Sequence, residues 1–509
     1  MLSQTMPNTH SGQYDVVILG GALSGAATAV QLLRQNKALK VLIVEKSESF
    51  GRRVGESTVE VSAYFMGHVL GLTRYMNDCQ LPKQGMRFWF TNEETRSIAD
   101  CSEFGPQYNV RLPGYQLDRA TFDEKVLSLA VEAGAELMRP ARVGTIELHE
   151  GGVQRLVIES DAGEQTVETR WLVDASGVAA VIARRQNWLV TNEEHPIATV
   201  WSRFKNTGDF DGLELAERYP QWAGRSFGVR GQATNHLVGH GYWIWWIPLK
   251  GGDVSIGVVY DQRLMTFPQE GGSLGERLMA FLRQHPVGGE LLANASFTPG
   301  DVHARKNLAY RSTTFASDGV ALVGDSAGFM DPFYSPGMDW ISFTTHNVSR
   351  LILAERSGSD IKDLLAVHNQ NFATAYKRWF EALYKDKYFY MGDYELMQVA
   401  FRLDLGLYYL GVVQNVVKYG SKGLDLPPFS HAHAGPAHWL MAGYNRRLSA
   451  MARSRKERGQ WGRANAHRYY GFNSYRFAKH MPLRVAKAYV DYLALEVTEG
   501  WRTWFGGKQ

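Results

Sequence analysis

Residues 14 to 20 read YDVVILG, a short β-branched run that ends in glycine, and this stretch restricts the fold more than any other. Such a run predicts a buried strand. The residues after it, GALSGAATAVQLLRQ, are small and then helical in pattern, and KVLIVEK (40 to 46) predicts the next strand. Strand, helix and strand, with glycines at the first turn and Glu45 at the end of the second strand, make a dinucleotide-binding unit. The turn lets a pyrophosphate approach the backbone at a helix N-terminus, and the acid accepts hydrogen bonds from ribose hydroxyls. Gly20 and Gly25 hold the first and third glycine positions, and Gly21, Ala22 and Ser24 complete the turn. Ala22 stands where the second glycine is usual, so one methyl slightly crowds the phosphate.

At 509 residues, with 45% hydrophobic and 21% charged residues, the chain predicts a large core in two or three interleaved domains. Cys79 and Cys101 are its two cysteines, without a CxxC or a Cys/His cluster. That excludes a disulfide framework and a zinc site and fits a reducing cytoplasm. The opening MLSQTMPNTHSG lacks the features of a signal peptide. The uncharged run LGLYYLGVVQNVV (405 to 417) is too short to span a bilayer as a helix, so no membrane span is expected. The net charge of +4 conceals an asymmetry: from Arg446 to Lys479 ten Lys or Arg face one Glu, giving +9, which leaves −5 for the remainder. This stretch is either a docking surface for an acidic carrier protein or for an anionic lipid surface, or a solvated basic face. No nucleic-acid partner is expected.

Further along, GVALVGDSAG (319 to 328) is an apolar strand ending in Gly324 and Asp325. It resembles the second flavin motif of the glutathione-reductase-type flavoproteins, whose aspartate bonds the ribityl chain. LDRATFD (117 to 123) and WLVDASG (171 to 177) resemble intermediate segments of the same group, with Arg119 near the flavin. The resemblance implies FAD. A second glycine-rich β-α-β unit is not found, so reduced flavin is expected from a separate flavin reductase, although some single-component hydroxylases also lack that unit.

Residues 242 to 248 read YWIWWIP. So much aromatic surface is costly in water, so the run either fills a core or walls something off from water. Trp243, Trp245, Ile247 and Pro248 form the pattern WxWxIP, which resembles the flavin-dependent halogenases. VGEST (54 to 58) and FMDPFYSPG (329 to 337) resemble two further segments of that family, the second through Phe329, Pro332, Ser335 and Gly337. The resemblance spans roughly residues 14 to 350. It implies that the tryptophans shield the flavin from organic substrate and that FADH2, O2 and chloride or bromide yield hypohalous acid, held near the substrate by a lysine. In LPKQGMRFWF (81 to 90) the resemblance assigns that role to Lys83; as a loop residue it would otherwise be exposed. It also implies that Glu56 orients the oxidant or contacts the flavin edge, and that halide meets Ser335, Gly337 and Met338.

Two residues depart from the family pattern. Tyr334 stands where tryptophan halogenases carry a glutamate that assists substrate deprotonation, which points to an activated ring, a phenol or pyrrole, free or tethered to a carrier protein. Pro336 removes one amide donor from the halide segment, a loss on the order of 1 kcal/mol.

The expected fold is α/β: a glutathione-reductase-type FAD-binding fold with an inserted substrate-side β-sheet and a C-terminal helical region. FAD-binding segments are expected at about 14–80, 115–185 and 300–350, the substrate-side sheet at about 85–114 and 186–299, and a helical cap at 376–509. The expected function is flavin-dependent halogenation of an electron-rich aromatic. The alternatives are an FAD-dependent hydroxylase or dehydrogenase of the same fold, or a non-catalytic flavin-binding pathway partner.

Overall fold

The computed structural model describes residues 12–473 and 477–504. One sheet of eight strands has a central path Ala316–Ser317, Val320–Leu322, Gly163–Asp174, Gly12–Leu19, Val41–Val44, Glu136–Met138. Gly12–Leu19 runs parallel to both Gly163–Asp174 and Val41–Val44. The sheet therefore grows in both directions from this strand, and a crevice opens at its carboxyl end. Val16, Val17 and Ile18 are wholly buried. The strand is apolar on both faces because both are covered. The helix Leu23–Gln35 packs on Arg119–Glu132 and on Pro336–Arg356.

The second sheet has nine strands. Its main path is Ser296–Phe297, Ile197–Lys205, Val254–Asp261, Tyr242–Pro248, Thr234–Gly239, Met86–Phe90, Ser102–Pro106, Tyr469–Phe472, and His303–Lys306 pairs with Ile197–Lys205. It thus reaches beyond the expected 85–114 and 186–299 through His303–Lys306 and Tyr469–Phe472. Tyr469–Phe472 lies parallel to Ser102–Pro106 as the last strand. The C-terminal region is accordingly not purely helical: a four-residue aromatic run carries too little periodicity to reveal a strand.

The helices Lys362–Leu383, Tyr394–Tyr408, Gly435–Glu457 and Phe477–Thr498 make up most of the remainder. The first runs through position 376, so no break in the chain's structure falls at that expected boundary. Tyr394–Leu424 is a continuous helical stretch of 31 residues, long and apolar enough to cross a membrane by length and composition, and 61% of its most apolar window is buried inside this protein. Sequence reading stopped at the uncharged run 405 to 417, whereas a π-helical turn at Tyr409–Val413 carries the helix on.

The basic stretch from 446 is partly drawn into the protein, while Arg446, Arg453, Lys456 and Arg468 are exposed. Arg455 is completely buried and pairs with Asp393 at 2.7 Å, with Glu395 at 2.9 Å and with Glu499. Arg447 pairs with Glu496 at 2.7 Å and Arg463 with Glu395 at 2.9 Å. The carboxylates that balance these charges come from distant segments and cannot be counted within the stretch. Its residues 474–476, like the first eleven of the chain, lie outside the described residues.

Candidate functional site

At the carboxyl end of Gly12–Leu19 lies a cavity of about 1080 Å3. Gly20 turns the chain there with φ +105°, a conformation that side chains with a Cβ rarely adopt. A Cβ on Gly25 would sit 1.9 Å from the Gly20 carbonyl oxygen, so this glycine lets the helix start against the turn. Gly20, Ala22, Ser24 and Glu45 line the cavity. Gly21 and Gly25 do not: Gly25 serves the packing, and Gly21 donates its N–H to Glu45 at 2.8 Å. Glu45 also accepts from Ser47 N–H at 2.9 Å, which fixes the carboxylate at the tip of its strand.

The chain returns to the same crevice at Gly324, whose φ is +63° and where a Cβ would meet Ser24 Oγ at 2.4 Å. This close approach places Asp325 in the cavity wall. Burial raises its carboxyl to about 6, against the nearby Arg119 and Arg305. Arg119 also lines the cavity, held by Asp123 at 3.0 Å and by the Gly55 carbonyl at 3.1 Å. A long crevice with a glycine turn at a helix N-terminus, a carboxylate at the second strand and a half-buried, cavity-facing aspartate fits FAD.

The tryptophan strand shows that core and wall are two faces of one element. Trp243, Trp245 and Ile247 line the cavity, whereas Ile244 and Trp246 join a separate core on the other side, where Trp246 meets Phe210 edge-on at 5.7 Å. Gly257 is opposite Trp245 in register, and a Cβ there would lie 2.4 Å from the indole. The indole therefore lies over a glycine. Trp243 Nε1–H donates to Tyr388 Oη at 3.0 Å, and Trp245 Nε1–H to Ser255 Oγ at 3.1 Å, so both rings are fixed. Pro248 is not in the wall; it ends the strand, paired with Val254.

Glu56 lines the cavity but is not a free carboxylate. Its Oε1 accepts from Arg203 Nη2–H at 2.8 Å and Nε–H at 3.1 Å, and Arg203 also reaches Asp301 at 3.0 Å. Burial, opposed by Arg203, raises the Glu56 carboxyl above its ordinary value. Arg203 is fully buried and faces the cavity, and sequence reading missed it.

Lys83 is buried, at 4% exposure, and so is not an exposed loop lysine. Its Nζ donates to Ser57 Oγ and to the Thr58 carbonyl, each at 2.8 Å. Ser57 belongs to the cavity wall and contacts Thr234 Oγ1 at 3.0 Å, so Lys83 stands just behind that wall. Burial lowers its ammonium to about 8 against the pull of Glu60 and Asp339. His236, in the same wall, is held down to about 3 by burial and by Lys83, and is therefore neutral.

On the far side of this partition is a second cavity of about 40 Å3, whose wall includes Glu60, Met86, Tyr334, Pro336, Asp339 and Tyr408. Ser335, Gly337 and Met338 face the large cavity, while Tyr334, Pro336 and Asp339 face the small one. One chain segment therefore divides the two. Tyr334 and Ser335 both have positive φ, +68° and +59°, and Pro336 begins the helix Pro336–Arg356. A proline at the first helical position gives up an N–H that would have no helical acceptor in any case. The amides of Gly337 and Met338 remain the first donors of that helix. Tyr334 bonds Asp404 at 3.1 Å, which is itself paired with Lys387 at 2.6 Å. Glu60 and Asp339 were missed by sequence reading; Asp339 lies four residues beyond Ser335, one helical turn, and that spacing was the available signal.

The family model for FAD dependent oxidoreductases matches residues 15–226, and the tryptophan halogenase model matches residues 224–388. Flavin-dependent halogenase chlA of Dictyostelium discoideum is 30% identical over 377 residues, 67% of this chain and 60% of that protein. The chain thus spans less than two thirds of that relative. A 1H-pyrrole-2-carbonyl-(peptidyl-carrier protein) brominase of Pseudoalteromonas luteoviolacea (strain 2ta16) is 25% identical over 336 residues, 64% of this chain and 74% of that protein. The structure of halogenase PltM in complex with phloroglucinol and FAD is similar in fold, with a TM-score of 0.72 and 18% identity over 96% of this chain and 99% of that one. Taken with the glycine turn, the cavity-facing Asp325 and the WxWxIP wall, these matches mean that the chain is an FAD-binding protein and belongs to the flavin-dependent halogenase family.

Proposed function

We propose that the protein halogenates an electron-rich single aromatic ring, a phenol or a pyrrole, free or carrier-tethered, with chloride or bromide. The observation that carries this reading is the buried Lys83, bonded to Ser57 of the flavin-sized cavity's wall and to the Thr58 carbonyl next to Val59 and Glu60 of the second, aromatic-lined cavity's wall. When bound, reduced flavin with O2 supplies the oxidising equivalents that turn halide into hypohalous acid. Trp243 and Trp245 keep organic substrate out of the large cavity. The Gly337 and Met338 amides, at the positive end of a helix, hold the halide. Lys83 donates a hydrogen bond to the hypohalous acid, and its lowered ammonium keeps that proton transferable. The likeness to relatives named for phloroglucinol binding and for a carrier-bound pyrrole supports this substrate range. A separate reductase supplies the reduced flavin.

Lys83→Ala tests the assignment. With FADH2, bromide and a panel of phenols, the variant should bind FAD and consume O2 at near the parent rate but release free hypohalous acid instead of halogenated product. Halogenated product at the parent rate refutes the role of Lys83. Hydroxylated product from the parent protein, with or without halide, refutes halogenation.

A further inference from the structure

We infer that Glu60 and Asp339 form the carboxyl pair that takes the hydroxyl proton of a phenolic substrate in the second cavity, in the place that Tyr334 cannot fill. This inference rests on the proposed halogenation of an aromatic ring next to Lys83. Both side chains belong to the wall of the second cavity. Asp339 is fixed from two sides, by Ser62 N–H at 2.9 Å and by Tyr408 Oη–H at 2.6 Å. Glu60 follows two residues after Thr58, whose carbonyl accepts from Lys83, so the pair and the ammonium flank the same short segment. No cation other than Lys83 acts on Glu60 among the described groups, and the carboxylate Asp404 on the opposite wall is already neutralised by Lys387.

The charged and titratable groups that face the pair are Lys83, Tyr384, Tyr408 and Tyr409. Burial and the neighbouring Glu60 raise Asp339 to about 7, and burial raises Glu60 as well. Two carboxyls this close share a proton near neutrality rather than both ionising, which suits them to accept one and return it. Tyrosine at 334 cannot do this, because burial and Asp404 push its hydroxyl well above the ordinary phenol value.

The step balances as follows. The phenol O–H bond breaks, the proton goes to the carboxylate and the electron pair stays on oxygen. The ring carbon then bonds the halogen of the hypohalous acid as the O–halogen bond breaks, and Lys83 protonates the departing hydroxide to give water. The neutral amine of Lys83 removes the ring proton as aromaticity returns, and the carboxyl returns its proton to the phenolate. The sum is phenol plus hypohalous acid giving halophenol plus water. The small cavity, about 40 Å3, has room for no more than one ring, so the substrate class is a single-ring phenol.

The experiment compares the parent protein with Asp339→Asn, Glu60→Gln and the double variant. Each is supplied with FADH2 and bromide and with two phenols of similar size, one of ordinary acidity and one already ionised at the assay pH. The parent should halogenate the ordinary phenol with a rate that rises with pH through about 7, where Asp339 loses its proton, and falls above about 8, where Lys83 does. The variants should lose on the order of 100-fold on the ordinary phenol and stay within a few fold on the ionised one, and those lacking Asp339 should also lose the rising limb. Equal losses on both phenols, or an unchanged profile, overturn the inference. Release of hypohalous acid, trapped by a cyclic 1,3-diketone, shows that a variant is folded and loaded. A parent protein that halogenates neither phenol and releases no hypohalous acid refutes the proposed function itself and is thereby told apart from failure of the carboxyl pair.

Discussion

Replacing Arg203 by methionine removes the buried cation that is hydrogen-bonded to Glu56 while leaving the carboxylate in place. Arg203 and Glu56 are each almost fully enclosed, with side-chain exposures of 0% and 1%. Breaking such a pair from one side typically costs about 3–5 kcal/mol. The loss is bounded, because the stranded carboxylate can take a proton. Keeping it protonated costs about 1.36 kcal/mol for each pH unit above its ordinary value, or about 3.4 kcal/mol at pH 7 and about 0.7 kcal/mol at pH 5. The ordinary value used here is 4.5. In the variant the folded-state carboxyl is raised above the unfolded one, so its neutral form favours folding fully below pH 4.5, and that support is lost as pH rises through the folded value. Asp301 loses a partner too, but it is 17% exposed and keeps His303 at 3.0 Å. Guanidinium unfolding of the apoprotein, parent against Arg203→Met, should therefore show a stability gap that narrows from pH 7 to pH 5 by at most about 2.7 kcal/mol, the raised Glu56 of the parent taking up part of it. Glu56→Gln combined with Arg203→Met should remove most of the pH dependence. An equal gap at both pH values would mean that Glu56 is not left charged and unpaired, and the electrostatic account of this wall would fail.

Gly25→Ala should weaken FAD binding by at least about tenfold, or about 1.4 kcal/mol, since its Cβ would lie 1.9 Å from the Gly20 carbonyl oxygen; a flavin fluorescence titration reads this, and parent-like affinity refutes it. Arg455→Ala should destabilise by about 3–5 kcal/mol because three carboxylates converge on it, whereas the exposed Arg446→Ala should change stability by less than about 0.5 kcal/mol. Comparable denaturation midpoints for the two variants would contradict the reading of the basic stretch as an internal charge network.

What sequence made legible was what neighbouring residues determine together. The strand, glycine turn and helix from 14 to 35 carry their function in local backbone conformation, and the alternation of YWIWWIP separates its two faces. Glu56 was legible as a cavity residue, but its partner Arg203 is 147 positions away, so its ion pair was not. Asp339 is bonded by Ser62 across 277 positions. Neither Glu60 nor Asp339 belongs to a pattern within its own segment beyond the one-turn spacing of Asp339 from Ser335. The pairing of Arg447 and Arg455 within the basic stretch was hidden for the same reason, since charge counted along the chain omits the carboxylates that folding brings to it. The long helix Tyr394–Leu424 was underestimated because charged residues near its start interrupt the apolar run without interrupting the hydrogen bonding.

Tyr469–Phe472 also has a consequence for the order in which the protein can be assembled. Ser102–Pro106 pairs with Met86–Phe90 on one side and with this late strand on the other. The hydrogen bond from Arg468 N–H to Ser102 Oγ spans 366 residues. At roughly 5–20 residues per second, the ribosome takes roughly 20 to 70 s to supply the missing neighbour. During that interval the nascent sheet carries an open edge whose backbone donors and acceptors can pair with any extended chain. Contacts of such long sequence separation form slowly, because closing the loop costs entropy before the pairing repays it. Tyr469–Phe472 thus acts as the closing strand of a sheet begun at Met86–Phe90, and the complete sheet forms only after residue 472 has been synthesised.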